Sequence, residues 1–304
     1  MAFLRTVLLH RCTLCMVLLL IAGASLAQMK VLSVEPSQTD PLIETVHGPH
    51  IAVYEKGIRS QHLLYLFFPG TGGRAAGSKK MDSIFAVKGL HAISLDYENN
   101  VVAVSCAHGR DSTGFDRYRE EIITGKPVSD KVSVDSVNSI LNRFQKLLVY
   151  LVKNDPNGGW DEFVKDDRPV WSKIIVAGHS QGSGHAAYIG KIYKVDRVLM
   201  FSGPQDYLDD LDMPAPWQTG KGATSPTKYY AFLNLQDAFN VKHQIANCMK
   251  LMRQSQPDTL MVKPGEAIHG HKHILVNDIP TKDHHGSTIS PVFENVWEYM
   301  ATDK

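Results

Sequence analysis

A chain of 304 residues with 43% hydrophobic side chains can bury a large core, which excludes a disordered protein and a small disulfide scaffold. The formal charge is +1, and residues 28–304, with 30 basic against 31 acidic side chains, carry −1. Neither nucleic acid nor an anionic membrane is therefore expected as an electrostatic partner.

In chain order, Arg5 and Arg11 border the apolar run Cys12 to Ala22, followed by the small residues Gly23-Ala24-Ser25-Leu26-Ala27. This layout reads as a secretory signal over residues 1–27, cut after Ala27. The alternative is an uncleaved anchor, but the apolar core is shorter than the roughly 20 residues a spanning helix needs. The expected product is one secreted domain over residues 28–304, extracellular or periplasmic, with no stable membrane insertion. It keeps two of the four cysteines, Cys106 and Cys248, either as one disulfide or as two buried thiols.

Short apolar runs rich in β-branched and aromatic residues then recur: Lys30 to Val34, Ile51 to Tyr54, Leu63 to Phe68, His91 to Leu95, Ile174 to Ala177, Arg197 to Phe201, Tyr229 to Leu235 and His273 to Val276. Several alternate with helical patterns, so the expected class is α/β, with a doubly wound, mostly parallel, eight-stranded sheet. The clearest helix carries Val137, Ile140, Leu141, Phe144, Leu147, Leu148 and Leu151 on one stripe and stops at Asn154-Asp155-Pro156-Asn157-Gly158-Gly159. Residues 202–228, rich in Asp, Pro, Gly, Thr and Ser, read as a short excursion over the carboxyl edge of the sheet. Ser290-Pro291 opens a last helix, with Val292, Val296 and Met300 expected on one side.

Within this frame, Gly178-His179-Ser180-Gln181-Gly182 joins an apolar run to a helix over residues 181–194 and fits the G-x-S-x-G nucleophile elbow. Glycines remove side chains where strand and helix backbones approach. A bare G-x-S-x-G also occurs as a structural turn, so the argument needs partners. An activated serine requires a base and a carboxylate that orients it, each following a later strand. Asp237, after Tyr229 to Leu235, is the first candidate acid; Asp206 and Asp278 are its rivals. His285, before Gly286, is the first candidate base, with His284 as its neighbour and rival. The oxyanion of a tetrahedral intermediate needs backbone donors. The Gly-rich turn after Leu64 to Phe68 places the N–H of Thr71, or else of Gly72, in that role together with the N–H of Gln181.

The same turn lacks the spacing of a phosphate-binding loop. His269, His271 and His273 alternate along an approaching strand, but no Asp, Glu or Cys completes a zinc ligand pattern. No cofactor or metal is expected.

With these pieces together, the chain resembles the α/β-hydrolase superfamily. It is similar above all to exported hydrolases marked by F-P-G-T-G-G (Phe68 to Gly73), G-H-S-Q-G (Gly178 to Gly182), H-A-A-Y-I-G (His185 to Gly190) and F-S-G-P (Phe201 to Pro204). The resemblance runs from about Val31 to Tyr299 and implies Ser180 as nucleophile, Asp237 as acid and His285 as base. It also implies a second cysteine between Cys106 and Phe115, where this chain has Ser112-Thr113-Gly114 instead.

The leading functional expectation is a serine hydrolase acting on a small-molecule or lipid-like ester through an acyl-enzyme, losing activity as its histidine is protonated below about 6.5. Tyr207 and Trp217 are either the lining of an apolar acyl pocket or packing beneath a loop. The alternatives are an amidase or peptidase of the same fold, and an inactive binding protein on a hydrolase scaffold.

Overall fold

The computed structural model describes residues 28–302; the proposed signal segment lies outside them. Nine strands form one sheet: β1 (Gln28–Val34), β2 (His50–Lys56), β3 (Leu64–Phe68), β4 (His91–Ser94), β5 (Ile174–His179), β6 (Arg197–Phe201), β7 (Tyr229–Asn234), β8 (Thr259–Met261) and β9 (Ile274–Asn277). Their order across the sheet is β1-β2-β4-β3-β5-β6-β7-β9-β8. The β1–β2 and β2–β4 pairs are antiparallel and the remaining pairs parallel. This is the expected α/β class with a mostly parallel sheet, and all eight expected strands lie in it. The ninth, β8, is an edge strand of three residues.

The strands at the centre are continuous apolar runs because both faces are covered. In β3, Leu64, Leu66 and Phe68 enter one core while Tyr65 and Phe67 enter the other. Helices α2 (Gly114–Thr124), α3 (Ile140–Asn154), α4 (Gln181–Ile192) and α5 (Val241–Met252) cover the first face. On the opposite face lie α1 (Lys79–Val87) and α6 (Glu294–Thr302).

In α3, Ile140, Phe144, Leu147, Leu148 and Leu151 are buried as their spacing requires, and the Ser139 hydroxyl caps the first turn by accepting from the Asn142 N–H. Val137 lies in a turn ahead of the helix rather than on its stripe. The closing helix also differs from the expected register. Pro291–Phe293 forms a 3₁₀ turn, which leaves Val292 exposed and brings Phe293, Val296, Trp297 and Met300 inward.

Cys106 and Cys248 are both free and buried, and burial pushes both thiols above the ordinary range, Cys106 to about 11. Among the described residues no helix is long and apolar enough to cross a membrane.

Candidate active site

The carboxyl ends of β3, β5, β6, β7 and β9 converge on one rim, and the loops beyond them build the site. The turn from β5 into α4 is as tight as the glycines imply. A methyl group at Gly178 would stand 2.1 Å from the Gly182 carbonyl oxygen, and one at Gly182 would stand 2.0 Å from that of Phe68. Between them Ser180 adopts φ 56° and ψ −121°, a conformation costing a non-glycine residue about 1–3 kcal/mol. The surrounding bonds hold it: the Ser180 N–H donates to the Phe201 carbonyl, and the Ser180 carbonyl accepts from the Ser183 N–H and hydroxyl.

Ser180 and His285 line one cavity of about 340 Å³, with Gly70, Thr71, Arg74, Gln205 and an apolar wall of Val102, Phe239 and Ile289. His285 Nδ1 is 2.7 Å from Asp237 Oδ2. Burial disfavours the Asp237 carboxylate, but the bond to His285, aided by the Phe239 N–H and the Gln244 amide, holds its pKa below the usual value. His285 Nε2 makes no hydrogen bond among the described residues. The Ser180 hydroxyl has instead a long contact, 3.5 Å, with Gln205 Nε2. Such nucleophile–base bonds often close only when substrate binds.

The loop that carries His285 is gripped through its backbone. The His285 carbonyl accepts from the Ser202 hydroxyl at 2.6 Å and from His179 Nε2 at 3.1 Å. The Phe239 ring packs on the His285 ring with centroids 4.6 Å apart. His284 makes no bond to a carboxylate, and its Nδ1 is buried without a partner among the described residues.

The rival acids occupy other environments. Asp206 is fully buried in a two-pronged ion pair with Arg119, at 2.9 and 2.6 Å, and also accepts from Trp217 Nε1. Arg119 in turn donates to the Gln181 carbonyl, tying α2 to the elbow. Asp278 is exposed just past β9. The Trp217 ring packs on Tyr188 and does not line the cavity, so of the two readings for this residue the structure fits packing beneath the loop.

On the oxyanion side, the Gly72 N–H is committed to the Asn99 carbonyl at 3.1 Å. The Thr71 N–H makes no hydrogen bond among the described residues. Thr71 Oγ1 donates to Gln181 Oε1 at 2.6 Å, locking the loop onto the first turn of α4. The Gln181 N–H stands at the start of α4, where backbone donors have no intrahelical partner.

Among the described residues no group of three or more His, Cys, Asp or Glu could hold a metal ion. His273 lies against the Tyr229 carbonyl and the Tyr230 ring, while His269 and His271 are exposed.

Sequence reasoning missed Gln205, His179 and the apolar wall. His179 and Gln205 carried a signal, being neighbours of motif residues. Val102, Phe239 and Ile289 come from three separate loops and carried none.

Three histidines, the buried His50 and His185 and the half-buried His179, are held neutral. Burial pushes His179 down to about 4 and His50 to about 3, and His185, packed against Tyr97 and Tyr118 beside Arg119, lies well below its ordinary value. The unfolded chain takes up these protons near pH 6.5, so between there and each depressed value it binds more protons than the folded form. The histidine contribution to stability is then complete above about pH 6.5 and is lost as pH drops toward about 4 and below. Burial raises the Asp82 and Asp116 carboxyls, Asp116 to about 6, and these act in the opposite sense. The histidine share is read by comparison: between about pH 6.5 and 4 the urea midpoint of the wild type should fall relative to that of His50→Gln, and parallel profiles would contradict this.

No family model and no curated protein matches the chain. Among solved structures, a bacterial heroin esterase aligns with a TM-score of 0.45 and 12% identity, covering 95% of this chain and 88% of that one. A dienelactone hydrolase from Anabaena variabilis aligns with a TM-score of 0.41 and 13% identity, covering 90% and 95%. Strand order and the geometry around Ser180, rather than these neighbours, support a reading of the chemistry.

Proposed function

We propose that the protein is a serine hydrolase that cleaves carboxylic esters through an acyl-enzyme. The observation that carries this reading is the convergence of a strained Ser180 and the Asp237-bound His285 on one cavity. Ser180 Oγ attacks the ester carbonyl carbon while His285 Nε2 takes the hydroxyl proton. The Nδ1–H goes on donating to the Asp237 carboxylate, which fixes the tautomer and stabilises the imidazolium. The tetrahedral oxyanion is bound by the N–H groups of Thr71 and Gln181. Collapse breaks the bond to the alcohol oxygen, which leaves with the proton from Nε2. Water then enters, gives a proton to the same nitrogen and attacks the acyl carbon, releasing the acid and restoring Ser180.

The apolar wall of Val102, Phe239 and Ile289 suits the acyl chain. Export rests on the sequence of residues 1–27, which gives the enzyme substrates outside the cytoplasm. Ester against amide is decided by comparing nitrophenyl acetate with the matching nitroanilide. The ester should turn over faster by at least about a hundredfold, or 2.7 kcal/mol in barrier. Comparable rates would favour the amidase reading, and no turnover by folded protein would favour a binding protein.

A further inference from the structure

A second cavity, of about 450 Å³, adjoins the first and shares Gln205 and Phe239 with it. Its size lies within the ~300–1,000 Å³ usual for ligand sites, and its wall, though it includes Val104, Ala107 and Phe239, is the more polar of the two. The wall carries Tyr207, Asp209, Asp212, Asn240, His108 and His243. Tyr207 stacks on His243 with centroids 3.7 Å apart and donates its hydroxyl to Asp212 Oδ1 at 2.8 Å. Asp209 lies 3.3 Å from His243 Nδ1 and 3.8 Å from His108 Nε2, and Asn240 Nδ2 is 3.0 Å from His243 Nε2. Donors and acceptors therefore alternate, and the carboxylates are already engaged by neighbours while keeping lone pairs for others.

The shared wall also offers an open acceptor. Gln205 lines both cavities beside Ser180, its Nε2 making the 3.5 Å contact to the Ser180 hydroxyl. Its Oε1 accepts no hydrogen bond from a described residue and is free to take one from a bound hydroxyl.

We propose that the second cavity is the leaving-group subsite and takes a polyhydroxylated alcohol, a sugar or polyol. This rests on the ester-hydrolase reading of Ser180. Hydroxyls both donate and accept, which matches the alternating wall, and one next to the ester oxygen would complete the Gln205 amide. A cation would compete for the carboxylates with the Tyr207 hydroxyl and the two imidazoles that already stand against them. The acyl group then occupies the apolar cavity, so the polarity of the two lobes sets the orientation of the ester.

The test compares kcat/KM for glucose monoacetate and ethyl acetate in the wild type, in Asp212→Asn, and in Ala238→Trp, which fills the second cavity from its exposed edge. The wild type should favour the sugar ester, and the ratio should fall by about tenfold or more in each variant, the worth of one lost hydrogen bond. Equal ratios in all three, or a preference for acetylcholine over the sugar ester, would overturn the proposal. Saturation-transfer NMR with methyl β-glucopyranoside on Ser180→Ala protein reads the subsite without turnover. Binding that vanishes when Ala238→Trp is added supports it, and absence of binding overturns it. If the wild type cleaves no acetate at all, the ester-hydrolase reading fails, while the glucoside result still decides the second cavity.

Discussion

His285→Ala should lower kcat for nitrophenyl acetate by between about 10⁴ and 10⁶-fold while leaving the circular dichroism spectrum unchanged. The size follows from how much converges on this side chain. Its Nδ1 bond to Asp237 orients the ring, and Phe239 closes one face of it. Its loop is anchored at the backbone by Ser202 and His179, and those bonds survive the substitution because they use the carbonyl. Loss of activity should therefore come without loss of fold. A variant that keeps more than about one hundredth of the wild-type rate would move the base elsewhere, and His284 would be the first alternative.

Asp206→Ala should lower the free energy of unfolding by about 3–5 kcal/mol, because it leaves the Arg119 guanidinium buried without its counter-charge. Arg119 and Asp206 are both inaccessible to solvent, so water cannot replace the lost carboxylate. Two further contacts fail with it, the Trp217 indole bond and the steadiness of the Arg119 bond to the Gln181 carbonyl. Equilibrium urea unfolding measures the change. Unaltered stability with abolished turnover would instead assign Asp206 a chemical role and weaken the case for Asp237.

The difference between these two aspartates marks what was legible in the sequence. The place of Asp237 just beyond β7 was readable because the tyrosine- and phenylalanine-rich run Tyr229 to Leu235 announced that strand. Asp206 lay beyond the preceding strand and looked similar. Its partner Arg119, 87 positions away in sequence, comes from a helix whose docking onto the elbow no local pattern encodes. The room for that guanidinium was present as Gly184, where a methyl group would stand 2.2 Å from Arg119 Nη2.

The elbow was legible for a related reason. Backbone crossing at Gly178 and Gly182 tolerates no side chain, so the constraint is written directly into residue type. Edge strand β8 was not legible: three residues are too few to show alternation, and its pairing with β9 is set by tertiary contact. The misplaced stripe of the last helix has a similarly local cause, since Pro291 starts a 3₁₀ turn whose threefold repeat rotates Val292 out of the face that α6 later buries. The second cavity could not be read at all, because its wall is assembled from the segments around His108 and Tyr207 and the first turn of α5.

The most direct measurement is covalent labelling by a fluorophosphonate probe, with wild-type protein and Ser180→Ala compared by mass spectrometry and by turnover of nitrophenyl acetate. A single adduct on the peptide containing Ser180, with both labelling and turnover lost in the variant, is the expected result. Folded wild-type protein that takes up no probe, or a Ser180→Ala protein that still labels and still hydrolyses the ester, would contradict the assignment of Ser180 as the nucleophile.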